Sequence, residues 1–227
     1  MKNKTVSLSF MLLGMLFCVC LICSNLLETK IIQVGTVTIT AGFLVFPVSY
    51  IINDCIAEVW GFRKARLIIW LGFLLNFMAL AIFQIALVLP AAPFWQGADA
   101  FQFVFGLAPR ITVASLLAFL VGSFLNAYVM SRMKVASQGR HFSVRAVLST
   151  LAGETADSLV FFPIAFWGLI PAGELLKLIV IQAVAKTAYE IVVLPLTIRI
   201  VAMLKRVEQT DVYDEHISYN ILRVGEI

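Results

Sequence analysis

Long uncharged stretches alternate along this chain with short clusters of Lys, Arg, Asp and Glu. Thr5 to Leu27, Ile31 to Asn53, Leu67 to Ala98 and Ile111 to Ser131 carry no charge at all. A bilayer core about 30 Å thick takes roughly 20 apolar residues of helix, so each stretch predicts one crossing. The third is longer, but Pro90 and Pro93 should stop its helix near Leu89. A fifth helix is expected from about Val147 to Ile170 and a sixth from about Leu175 to Leu204, both with internal charges. The apolar runs are continuous and not alternating, which excludes a transmembrane β-barrel. The pattern thus predicts an all-α membrane protein of six transmembrane helices over 1–207, followed by a short, polar, poorly ordered cytoplasmic tail over 208–227. The apolar stretch after Lys2 and Lys4 lacks an A-x-A-like cleavage site, and Cys23 follows Ile22, so it reads as a retained first helix.

Composition removes the soluble alternatives. Hydrophobic residues make up 61% of the 227 and charged residues 13%, against roughly 45–50% and about 25% in soluble domains. Mean hydropathy is +0.98. One soluble core cannot hide that much apolar surface. Disorder and nucleic-acid binding are excluded as whole-chain readings. Of the 17 Lys and Arg, twelve fall on one side of the expected bundle: Lys2, Lys4, Arg63, Lys64, Arg66, Arg132, Lys134, Arg140, Arg145, Lys205, Arg206 and Arg223. That bias places both termini in the cytoplasm. An even number of helices, three on either side of the loop 90–110, permits an inverted 3+3 repeat. That loop, with Phe94, Trp95, Phe101, Phe103 and Phe105, is aromatic enough to lie along the outer interface. Cys18, Cys20, Cys23 and Cys55 sit within apolar runs as buried thiols, and with His141 and His216 they show no zinc-site spacing. No metal and no cofactor is expected.

Ionisable groups at membrane depth are expensive and normally face a cavity or a partner. Here they gather in three expected helices. Asn53, Asp54 and Glu58 end the second, Glu154 and Asp157 begin the fifth, and Lys186 and Glu190 centre the sixth. Spacings of three or four place each pair on one helix face. Both acidic pairs of the second and fifth helices lie toward the cytoplasmic half, where they can meet. So many carboxylates cannot remain charged without cations, protons or donors nearby. Lys186 is expected to neutralise Glu190 one turn away. Glu58, beside Trp60 and Gly61, could instead sit at the headgroup level, or act in gating or coupling. Pro47, Pro163 and Pro195 fall in the same helices and would free the carbonyls of Phe43, Leu159 and Ile191. Tyr50 and Phe161 stand one turn from the acids, placed either to stack on a flat ligand or to pack between helices. There is no HExxH, no GxSxG elbow and no Walker A loop, so an enzyme is not expected.

Three ordered motifs carry a resemblance: Asn53-Asp54-x-x-x-Glu58-x-x-Gly61-x-Arg63-x-x-Arg66, Gly153-Glu154-x-x-Asp157-Ser158-x-x-Phe161, and Lys186-x-x-Tyr189-Glu190-x4-Pro195. Together they resemble the queuosine-precursor transporter family, also called the vitamin uptake transporter family. The likeness runs from Ser24-Asn25 to about Leu204, with Trp60 standing where a tyrosine is common. It implies six helices in the bacterial inner membrane and uptake of 7-deazaguanine precursors of queuosine: the 7-cyano and 7-aminomethyl bases, or queuine. A carboxylate can accept the adjacent N–H donors of a guanine-like edge, a second suits a cationic aminomethyl group, and an aromatic ring suits the flat base. The expected base-binding face is Glu154 and Asp157 with Asp54, flanked by Tyr50, Asn53 and Phe161. Lys186 and Glu190 set the local charge, and Asn25 adds a donor or acceptor from the outer half. The expected partners are a small-molecule substrate and the lipid bilayer, without nucleic acid; a homodimer is left open. The alternative is a substrate-capture subunit of an energy-coupling-factor transporter, which depends on a separate ATPase.

Overall fold

A computed structural model of the chain describes residues 6–27, 29–34, 37–106, 109–168, 171–215 and 217–223. Lys2, Lys4, Thr5, Ile170 and His216 lie outside the described residues. The helices are α1 (Leu8–Leu27), α2 (Phe46–Val88), α3 (Ala98–Phe105), α4 (Pro109–Ala136), α5 (Phe142–Phe166) and α6 (Ala172–Glu208). Among the described residues, four helical stretches are long and apolar enough to cross a membrane: Leu8–Leu27, Ala41–Val88, Val113–Ala136 and Leu175–Glu208. At 48 residues, the second has room for two crossings of about 20 residues each. The serines, threonines and acids of α5 keep it off that roster.

Burial runs opposite to that of a soluble protein. On α1 the inward face is Phe10, Gly14, Phe17, Leu21 and Ser24, at helical spacing, whereas Met11, Leu12, Met15, Leu16 and Val19 are exposed. Asp54, Glu58, Arg66, Lys134, Arg145, Glu154 and Glu190 are buried. Apolar side chains outside and ionisable ones inside are the arrangement that lipid as solvent demands.

Two expected boundaries change. The segment taken as the start of the second helix is instead an antiparallel hairpin, β1 (Ile31–Val34) with β2 (Val37–Thr40), in register Ile31↔Thr40 to Val34↔Val37. Its run of Ile, Val and Thr favours extended backbone, since β-branched side chains are stiff against a helical turn. A 3-10 turn, Ala41–Leu44, then leads into α2. Pro47 therefore sits in the first turn of α2, where it has no helical bond to break, and the expected kink there is absent. Pro163 lies in the last turn of α5, while Pro195 stands well inside α6.

The second change concerns the basic cluster Arg63, Lys64 and Arg66, which is not a loop. Helix continues on both sides of Gly61, which alone departs from it, with φ 79° and ψ 175°. From Tyr50 through Asn53 to Glu58, the partners on α4 ascend from Gly122 through Asn126 to Lys134. Beyond Gly61 they descend. The Phe62 N–H donates to Asp214, which Ser131 also reaches, and Trp70 packs on Phe124. The chain doubles back at Gly61, making two opposed arms, 46–60 and 62–88. The second arm packs alongside α1, with Gly14 against Ile68, Gly72 against Phe17 and Leu21, and Asn25 bonded to Asn76.

Gly61 is required twice over. Its φ suits only glycine, and a Cβ there would come within 2.7 Å of Asp214 Oδ1 and 2.9 Å of Val212 Cγ1. Gly61→Ala should cost about 1–3 kcal/mol and lower the thermal unfolding midpoint of the purified protein. A variant that melts with the parent would show that the reversal needs no left-handed residue.

The tail is also ordered, against expectation. Val212 donates its N–H to Val59 O, and Arg66 donates to the carbonyls of Ser218 and Asn220. Trp70 Nε1 donates to Ile221 O. Tyr219 packs on Phe62 and Tyr128. A polar composition suggests solvation, but this tail is a strap held at several points: Lys134 takes Asp211 and the Val212 carbonyl, Arg66 takes the Ser218 and Asn220 carbonyls, and Asp214 accepts from Ser131 and the Phe62 N–H.

Candidate functional site

The arm 46–60, α5 and α6 bring their polar residues together in three tiers. Successive tiers on the arm 46–60 are about one helical turn, ~6 Å, apart. In the first, Lys186 Nζ lies 2.8 Å from Glu154 Oε2 and 3.3 Å from Asp157 Oδ2. The same ammonium sits 4.2 Å from the centroid of the Phe46 ring. Tyr50 reaches into this tier. Its hydroxyl lies where a Cβ on Gly122 would point, and its Cε1 is 2.9 Å from where one on Gly153 would stand. That Gly122 Cβ would also be 2.9 Å from Gly153 O, so the two glycines let α4 and α5 close on the tyrosine. Tyr50 Oη, Ser158 Oγ and Glu154 Oε1 are buried without a hydrogen bond, and Glu154 Oε2 has the Lys186 ammonium as its partner.

Asp54 and Glu190 make the second tier. Glu190 lies against Asp54 and Thr150. Ser149 Oγ stands 3.4 and 3.5 Å from the two Asp54 oxygens, and Asn126 adjoins the same carboxyl. Asn53 Nδ2 donates to Asn126 Oδ1 at 2.8 Å and to Ser123 O at 3.2 Å, leaving its own Oδ1 unbonded. The expected pairing of Lys186 with Glu190 is not formed. The two share a helix face, but Lys186 stands at the level of the α5 acids, whereas Glu190 meets Asp54.

Glu58 anchors the third tier, and the headgroup reading of it is overturned: its side chain is 1% exposed. Arg145 holds it in bidentate fashion, with Nη2 3.0 Å from Oε1 and Nη1 on Oε2. Lys205 Nζ is 2.6 Å from Oε1, and Lys134 Nζ is 3.8 Å from the same atom. Lys134 also donates to the Glu58 and Val212 carbonyls and pairs with Asp211. Partial burial pushes the Asp211 carboxyl up, but hydrogen bonds from Lys134 and Lys205 outweigh this and hold it below the usual carboxylate range. A carboxyl lowered on folding stabilises above its unfolded value, and that contribution is lost as pH falls through the folded one. The strap should therefore loosen in acid.

Two expected site residues make their described side-chain contacts apart from these tiers. Asn25 is bonded to Asn76 and Ser115, tying α1 to α2 and α4. Phe161 packs against Phe162 and Phe166. The ring beside the Lys186 ammonium is that of Phe46. The residues overlooked in the sequence are Asn126, Ser149, Thr150, Ser158, Lys134 and Arg145. Asn126 carried a signal, as an amide inside an uncharged span. Lys134 and Arg145 flank the expected spans, where sequence alone makes them loop charges. A surface depression lined by Leu89, Pro90, Trp95, Asp99 and Gln102 lies at the far end of α2 and holds none of these groups. Among the described residues no cluster of three or more His, Cys, Asp or Glu could hold a metal ion.

A bundle with apolar outer faces and buried polar groups held between its helices is a multi-pass membrane protein, and the family it matches is one of transporters and not of enzymes. Residues 40–200 match the family described as "Putative vitamin uptake transporter". The chain belongs to that family. It is 28% identical over 175 residues to the "Probable queuosine precursor transporter" of Bacillus subtilis (strain 168), covering 77% of this chain and 76% of that one. It is 33% identical over 128 residues to the "Queuosine precursor transporter" of Escherichia coli (strain K12), 56% of this chain and 55% of that one. The "Probable queuosine precursor transporter" of Haemophilus influenzae (strain ATCC 51907 / DSM 11121 / KW20 / Rd) is 32% identical over 128 residues, 56% and 52% of the two chains. No solved structure matches the chain.

Proposed function

We propose that this protein imports 7-deazaguanine precursors of queuosine across a bacterial inner membrane for use in tRNA modification. The names of its relatives point to that cargo class. The observation that carries the reading is the first tier: Glu154 is fully buried with Lys186 on Oε2 and its Oε1 unbonded, beside the Tyr50 hydroxyl and Ser158 Oγ, which are also buried without a hydrogen bond. Buried polar groups left without partners cost free energy until something satisfies them. A planar base with adjacent N–H donors would do so. Glu154 would accept from the guanine-like edge, and Asp157 would face the 7-substituent. Lys186 would face both carboxylates, while Phe46 and Tyr50 bracket the ring.

On this reading the chain makes six crossings, with α2 supplying two, the inverted 3+3 arrangement is retained, and both termini are cytoplasmic. The Glu58 tier and the strap then form the cytoplasmic gate: it ties α2, α4, α5 and α6 together and must part for cargo to leave. The test is uptake of labelled 7-aminomethyl-7-deazaguanine by the purified full chain in vesicles. Accumulation above empty vesicles, competed by the 7-cyano base and weakly by guanine, is the expected result. No uptake without an added ATPase module would favour the energy-coupling-factor alternative. Uptake that guanine competes equally would show that the 7-substituent is not read.

A further inference from the structure

Among the described residues, Asp54 and Glu190 are buried acids of the core that no described cation pairs with. They are 0% and 1% exposed, from α2 and α6, and both Glu190 oxygens are buried without a hydrogen bond. The groups around them come from every packed element. The arm 46–60 contributes Tyr50, Cys55 and Glu58, and α4 contributes Asn126. Ser149, Thr150 and Glu154 come from α5, and Lys186 stands one turn up α6. The nearest cations are committed elsewhere: Lys186 to Glu154 and Asp157, Arg145 and Lys205 to Glu58. Two ionised carboxylates in contact offer only acceptors to each other, and their repulsion is strong where water is excluded. One hydrogen between them turns that repulsion into a charge-assisted hydrogen bond.

We propose that Asp54 and Glu190 form a proton-binding pair, separate from the cargo tier, that couples cargo entry to inward proton movement. The coupling half of this rests on the import reading above; the shared proton does not. The pair lies between the cargo tier and the Glu58 gate, so opening the gate wets it from the cytoplasmic side. The O–H bond between the carboxyls then breaks to water there. The doubly charged pair is repelled until a proton arrives from outside, which restores the form that packs α2 on α6. One proton enters with each cargo molecule, and the carboxyl pair is regenerated. Glu58 cannot serve, since Arg145 and Lys205 neutralise it directly.

The experiment has two arms. In the first, infrared spectra of the purified full chain at neutral pH should show the C=O stretch of a protonated carboxylic acid. Asp54→Asn and Glu190→Gln should each remove it, and Glu58→Gln should not. Absence of the band, or its survival in both variants, overturns the pair whatever the cargo proves to be. In the second, vesicles in sodium-free potassium buffer take up labelled 7-aminomethyl-7-deazaguanine with and without an inward pH gradient. The gradient should raise the initial rate about tenfold. D54N and E190Q should lose that stimulation yet still exchange labelled for unlabelled cargo. A parent rate indifferent to pH, or driven by a sodium gradient instead, overturns proton coupling. Failure of cargo exchange by the parent overturns the import reading while the infrared result still decides the pair.

Discussion

Vesicles carrying Glu154→Gln should accumulate little or no labelled 7-deazaguanine, although the protein folds and inserts as the parent does. The glutamine keeps the shape of the side chain and removes the charge that Lys186 faces at 2.8 Å. It also replaces one of two acceptor oxygens with a donor, which would point at the donor edge of the base. Truncating one side of a buried, desolvated charge contact costs about 2–5 kcal/mol. Even the low end is roughly a 30-fold loss of affinity. Lys186 keeps Asp157 at 3.3 Å, so the variant leaves no buried cation without a partner and should unfold near the parent temperature. Binding by E154Q at parental affinity would place the cargo site elsewhere in the bundle.

The opposite pattern is expected at Glu58. Replacing it with alanine should damage the fold itself, because Arg145 and Lys134 are each 1% exposed and would lose the anion between them. Breaking a buried ion pair from one side typically costs about 3–5 kcal/mol. That is a large share of the whole stability of a domain. The purified E58A protein should therefore melt at a much lower temperature or fail to accumulate. Arg145→Met should be milder, since Lys205 still reaches Glu58 at 2.6 Å. If E58A melts with the parent, Asp211 and the strap carbonyls suffice to hold the cations, and the gate rests on the tail instead.

Glu58 also shows where the sequence was ambiguous. Beside Trp60 and Gly61 at the end of an apolar run, it resembled an interfacial residue. Its burial follows from the reversal at Gly61, which turns Arg66 inward, leaves Arg63 exposed, and lets the tail fold over the corner. The acids of α5 and α6 were legible as expensive residues, but their partners were not. Lys186 lies four positions from Glu190 and on the same helix face, yet it bridges two carboxylates of another helix. The axial offset between α5 and α6 decides that, and no spacing within α6 reports it.

The run lengths of apolar residues, a local property, determined that the chain is an integral membrane helical protein and where several helices stop; Pro90 and Pro93 were placed to end one near Leu89, and α2 ends at Val88. The cost of burying charge in lipid likewise singled out Asp54, Glu154, Asp157, Lys186 and Glu190 from the sequence alone. The tertiary structure decided the hairpin at Ile31–Thr40, the reversal at Gly61, the ordered strap and the division of the acids into a cation-paired tier and an unpaired one. Those features depend on how helices rotate and slide against each other. Lipid is as apolar as their outer faces, so hydrophobicity does not set that arrangement; close approach at Gly122 and Gly153 and the pairing of buried polar groups do.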